Sequence, residues 1–138
     1  LNVIISPKQN LVLIFIFFEK AKENLNAATI CFNQKLYNAS VNRAYHAVFQ
    51  AAIFALNEIG ITHDDNPHVW VQKNFCSELI NKRKIISGEF RSYLSNMIRI
   101  RHIADYKGVS VSQKRARDQL RDANNFIKEI ELKLPHDQ

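Results

Sequence analysis

From Tyr37 to Ile59 the chain is apolar on two faces of a single helix. Tyr37, Val41, Ala44, Val48, Ala51 and Ala55 recur three and four residues apart, and Tyr45, Phe49, Ala52, Leu56 and Ile59 form a second stripe beside them. A helix that is apolar on both sides has to be buried between neighbours. The rest of this 138-residue chain must therefore supply helices to cover it. The alanines in both stripes let those neighbours come close. Gly60 follows where a helix C-terminus favours a left-handed residue.

Covering helices are present in the pattern. A first runs from about Leu13 or Phe17 to Asn33, with Ala21, Leu25, Ala28 and Phe32 in line. After the polar connection His63–Pro67, a short helix starting near Pro67 carries Val69, Trp70, Val71 and Phe75 to about Leu79. Lys82-Arg83-Lys84 is expected to be a solvated connection. A fourth helix spans Phe90 to Tyr106 and stops at Gly108. A fifth, capped by Ser110 or Ser112, shows Ala116, Leu120, Ala123, Ile127, Ile130 and Leu134 and stops at Pro135. With only 3 Gly and 3 Pro there are few obligatory turns. The expected fold class is all-α: an up-and-down bundle of four main helices plus a short fifth. Residues 17–135 would form the bundle and residues 1–16 an apolar N-terminal arm. Leu11 to Phe18 is apolar without a break, but a membrane span needs about 20 such residues. No membrane association is expected.

The formal charge of +6 favours anionic partners in general. Cys31 and Cys76 lack metal-ligand spacing and suit a reducing compartment, so a cytoplasmic location is expected. There is no glycine-rich phosphate loop, no His-x-x-x-His or Cys-x-x-Cys pair and no Gly-x-Ser-x-Gly elbow. No cofactor or metal is expected. Asp64 and Asp65 are neighbours in a loop and point apart. His63 and His68, which flank that loop, are expected to be solvated.

The fourth helix breaks the apolar rule. Phe90, Leu94, Met97, Arg101 and Ala104 share one face, so a guanidinium falls where a core residue should be, with Asp105 one turn later. Arg cannot be neutralised, and burying it is costly unless it is paired. Arg101 is either half of a structural ion pair or a group awaiting an anion. Asn42, Arg43 and His46 share a turn with Tyr45 on the second helix, while Arg99, Arg101, His102, Asp105 and Tyr106 crowd two turns of the fourth. If these helices pack together, Arg43 and Arg101 come near Asp105. The result is a register-fixing network or a cleft whose Arg forks match phosphate oxygens and whose Tyr faces stack on bases.

Several segments resemble the HEPN (higher eukaryotes and prokaryotes nucleotide-binding) family. Arg43-Ala-Tyr-His-Ala-Val-Phe49 is similar to its R-A-Y-Y-A-x-F signature, with His46 replacing the second Tyr. His68, Val71 and Phe75 resemble the H-x-x-V-x-x-x-F segment that follows. Arg101-His-Ile-Ala-Asp105-Tyr106 resembles the R-x-x-A-D-Y segment, and Ser112, Ala116, Leu120, Ala123 and Phe126 fit the last helix. The match covers about Phe18 to Leu134.

The resemblance implies a homodimeric helical bundle working beside a minimal nucleotidyltransferase in a toxin–antitoxin pair. Some members of the family are metal-independent RNases that use an Arg followed four to six residues later by His. Here Arg101 is followed by Tyr106, and a Tyr is a poor general base at its usual pKa of about 10. His102 points about 100° around the helix from Arg101. The implied role is a nucleotide- or RNA-binding partner that is non-catalytic or weakly catalytic, with Arg101 and Asp105 shaping the binding cleft, Arg43 and Tyr106 lining it, and Arg101 and Arg43 as the phosphate anchors. The alternatives are a ribonuclease using Arg101 with His46 or His102, and a pure protein-interaction module. In some HEPN toxins a Tyr near this motif is nucleotidylated; Tyr106 is the candidate by position, or else a Tyr packed at the helix end.

Overall fold

A computed structural model describes residues 7–134 as an all-helical bundle. The main helices are α1 (Pro7–Asn33), α2 (Tyr37–Glu58), α4 (Tyr93–Tyr106) and α5 (Gln113–Lys133), and the short α3 (His68–Asn74) runs on into a π-helical segment, Phe75–Lys82. A single 3-10 turn, Gly88–Phe90, precedes α4.

The two-faced helix is the centre of the molecule. Thirteen of the 22 residues of α2 are buried, including an unbroken run from Ala51 to Leu56. It packs most extensively on α1, then on α5 and α4. At the α1 seam, the rings of Phe18 and Phe54 meet at a 40° tilt with centres 4.9 Å apart, and Ser40 donates a 2.9 Å hydrogen bond to the Ala28 carbonyl. Ala21, Ala28, Ala44, Ala47, Ala51 and Ala55 are all fully buried, as close helix approach demands. Gly60 ends α2 at φ +82°, its amide bonding to Asn57 and that of Ile61 to Leu56. This pair of bonds satisfies two carbonyls that the helix end leaves open.

A smaller apolar cluster closes the other end of the bundle. Val41, Ile100, Val111 and Ala116 are buried there, and the Val111 amide donates to Asn38 Oδ1 at 2.9 Å. Ser112 caps α5 by accepting from the Arg115 amide at 3.1 Å.

Several boundaries differ from the periodicity. α1 begins at Pro7 and is continuous through residues 16 and 17, so the apolar segment enters the bundle as helix. Val12, Leu13 and Ile16 stay exposed on it, while Phe18 is fully buried. Pro67 lies just outside α3 as its N-cap, with ψ 142°, instead of occupying the first turn. Phe90 stays on the buried stripe but belongs to the 3-10 turn, so α4 starts three residues later than the spacing suggests. The stop at Pro135 and the first six residues of the arm lie outside the described residues.

Candidate functional site

On the side of α2 away from its apolar seam, Asn42, Tyr45, His46 and Phe49 fall three and four residues apart and face one region. α4 brings Arg101 and Asp105 to them, and the first turn of α3 adds His68. The apolar stripe of α4 fixes this approach, because Leu94, Met97 and Ile100 are buried and Arg101 follows them onto the same side.

Tyr45 is the hub. Its ring is fully buried, and the Arg101 guanidinium lies over it, 5.2 Å from the ring centre. The phenol hydrogen-bonds to His68 Nδ1. Burial raises the Tyr45 pKa far above that of a free phenol, so the hydroxyl keeps its proton. No other acceptor for that proton appears among the described residues, so the O–H donates to Nδ1. A neutral His68 then carries its own proton on Nε2. The His68 ring also stacks on Phe49, 4.2 Å between centres at 14°.

Arg101 is only partly engaged. Its side chain is 29% exposed and its Nε lies 3.4 Å from Asp105 Oδ2, yet this buried Nε makes no hydrogen bond. The contact is thus a charge neighbour without hydrogen-bond alignment. Asp105 takes its hydrogen bond from Asn42 Nδ2, 3.1 Å from Oδ2. The terminal guanidinium nitrogens have no hydrogen bond among the described residues. A guanidinium placed over Tyr45 and beside Asp105, with terminal nitrogens that bond to no described residue, can offer its fork to an oxyanion.

His46 sits at the electrostatic centre, edge-on to Tyr45 at 5.5 Å. Burial lowers its pKa first, and the positive charges of Arg101 and Arg43 and the neighbouring His68 lower it further, opposed by Asp105. His68 is also shifted down, by burial and then by Arg101. Both imidazoles are held in their neutral form.

The expected site residues separate into two groups. Arg101, Asp105 and His46 come together. Arg43 is exposed and turns towards α1, its Nη1 3.4 Å from Asn24 Oδ1; Asn42 takes the place by Asp105 that spacing suggested for Arg43. Tyr106 is 70% exposed, and its ring contact is with His102 at 5.1 Å. The expectation that His68 is merely solvated is corrected: the residue is exposed, but its ring is fixed by Tyr45 and Phe49. His63 accepts from the Asp65 amide and packs against Trp70. Asn42 and Tyr45 stand in the polar cluster that the sequence marks out and Phe49 in its apolar stripe; the structure adds their contacts with Asp105, Arg101 and His68. Their spacing along one helix face was the available signal. Among the described residues no cluster of three His, Cys, Asp or Glu side chains forms, and no helix is long and apolar enough to cross a membrane.

Comparison with known proteins agrees with this architecture. A family model of the HEPN domain matches residues 16–133. The chain belongs to the HEPN domain family. It is also similar to a protein of Methanocaldococcus jannaschii named "Putative toxin MJ0605", 32% identical over 118 residues that cover 84% of each chain. The HEPN match takes in α2, α3, α4 and α5, and so every residue of the Arg101 cluster.

Proposed function

We propose that this chain is the HEPN member of a toxin–antitoxin-like pair and that the cleft at Arg101 binds the phosphate of a nucleotide or RNA. The observation that carries this reading is the Arg101 guanidinium, laid over Tyr45 with its terminal nitrogens bonded to no described residue and with His46 and His68 beside it. The named M. jannaschii relative supports the toxin association. The partner would be a minimal nucleotidyltransferase, and the working form a homodimer. On this reading the chain binds its ligand with little or no turnover.

A second reading is favoured by the two imidazoles. Arg101, His46 and His68 form a set able to cleave RNA without metal. The neutral His46 imidazole would take the proton of a ribose 2′-hydroxyl as that oxygen attacks phosphorus. The P–O5′ bond would break, and the imidazolium so formed would give its proton to the leaving 5′-oxygen, while Arg101 held the phosphoryl oxygens. The deciding experiment is RNA cleavage in chelator, using wild type, Arg101→Ala and His46→Gln. The binding role predicts RNA or nucleotide binding that Arg101→Ala removes, with no cleavage. Metal-free cleavage lost in both variants would replace it with the nuclease.

A further inference from the structure

Beside Arg101 stands an aromatic ring that phosphate binding alone leaves unused. His68 is an exposed residue, yet its imidazole is fixed from two directions. Phe49 covers one face, nearly parallel, with ring centres 4.2 Å apart. Tyr45 meets the ring at its Nδ1 edge through the hydroxyl, with the two ring planes within 12° of each other. Both anchors belong to the buried core. Among the described residues, no aromatic ring lies on the imidazole face opposite Phe49.

The chemistry left to this ring is narrow. Nδ1 accepts from Tyr45, so in the neutral ring Nε2 carries the proton and no lone pair is free to act as a base. Burial and then Arg101 lower the His68 pKa, so the ring adds no second positive charge for a phosphate at neutral pH. An uncharged aromatic face remains. An exposed side chain ordinarily gives up rotamer freedom when a ligand packs on it. His68 has already given it up, which makes the face a preformed platform. The Arg101 guanidinium carbon and the His68 ring centre lie 5.2 and 5.5 Å from the centre of the same Tyr45 ring. One small ligand reaches both. A nucleotide has the matching parts, a phosphate and a flat base joined through one sugar, and bases stack on imidazole as on other aromatic side chains.

We propose that His68 is the base-recognising residue of the Arg101 cleft: a nucleobase stacks on its open face while Arg101 holds the phosphate of the same nucleotide. This rests on the phosphate-binding reading above and narrows its ligand from phosphate esters in general to nucleotides, either free or at an unpaired position of RNA.

The test is calorimetric titration of the full chain at pH 7.5 with AMP, ribose 5-phosphate and inorganic phosphate, with the His68 ring protons followed by NMR. AMP should bind at least about fivefold tighter than ribose 5-phosphate, as one stacked base contributes. AMP should also move the His68 Hε1 and Hδ2 signals upfield through its ring current, and ribose 5-phosphate should not. His68→Ala should bring AMP down to the affinity of ribose 5-phosphate, while His68→Phe, which keeps a flat face, should retain most of the difference. A short single-stranded RNA that displaces AMP and shifts the same His68 signals assigns the base to RNA; if AMP is not displaced, the ligand is the free nucleotide. Equal affinities for AMP and ribose 5-phosphate, both lost in Arg101→Ala, overturn the base site and leave the phosphate reading standing. Failure of all four ligands to bind overturns both.

Discussion

The two sides of α2 are built to opposite rules. Towards α1 it offers buried alanines and Phe54, and its fully buried polar side chain there, Ser40, donates to a backbone carbonyl. Towards α4 and α3 it offers Asn42, Tyr45 and His46, and meets a guanidinium whose Nε is buried without a hydrogen bond. The first side is closed by apolar packing. The second keeps polar groups partly unsatisfied in a part-exposed cleft, an arrangement that packing alone does not require. The contrast teaches that one helix can act as the core of the bundle and as the floor of a site, because its two stripes are separated around its axis.

The comparison breaks most visibly at the seam. Phe54→Ala removes a fully buried ring packed on Phe18 and should cost about 3–5 kcal/mol, read as a large fall in thermal midpoint. If ligand binding by the folded fraction fell as well, the two sides would not be independent. Tyr45→Phe sharpens the site side, because it keeps the ring under Arg101 and deletes the O–H to His68. The expected loss of stability is about 1 kcal/mol. The His68 pKa should rise, since a donor that favoured the neutral ring is gone, and a proton NMR titration of the imidazole reads this directly. No movement of His68 would contradict the hydrogen bond.

The smallest effect is that of pH. In the folded chain the His46 and His68 pKa values lie below the ordinary histidine value of 6.5. The unfolded chain therefore takes up protons first as pH falls, and stability drops below about pH 6.5 until the folded pKa values are passed. Thermal midpoints from pH 7.5 to 5 should fall less in His46→Gln than in wild type. A bound phosphate opposes this shift by stabilising the imidazolium forms, so its affinity should rise over the same interval.

The bundle was legible because α2 is long and its apolar stripes leave no other fold class. The pairing of Arg101 with Asp105 was legible too, since both lie on one helix a turn apart. The rest of the site depends on contacts between residues distant in sequence. Asn42 and Asp105 are 63 residues apart and Tyr45 and His68 are 23 apart. Nothing local distinguishes His68 from an ordinary solvated first-turn residue. The helix face that Asn42 shares with His46 could equally have put Arg43 beside Asp105. Side-chain direction around α2 decided between them, and spacing alone leaves that direction open by a single residue.

The central claim is that Arg101 is held for a ligand instead of for the fold. The most direct test is Arg101→Ala, with RNA and nucleotide binding and thermal unfolding measured on the same preparation. The account predicts that binding is lost while stability changes by no more than about 1 kcal/mol, as for a part-exposed ion pair. Retained binding, with stability reduced by about 3–5 kcal/mol as for a broken buried pair, would make Arg101 a structural residue and contradict the account.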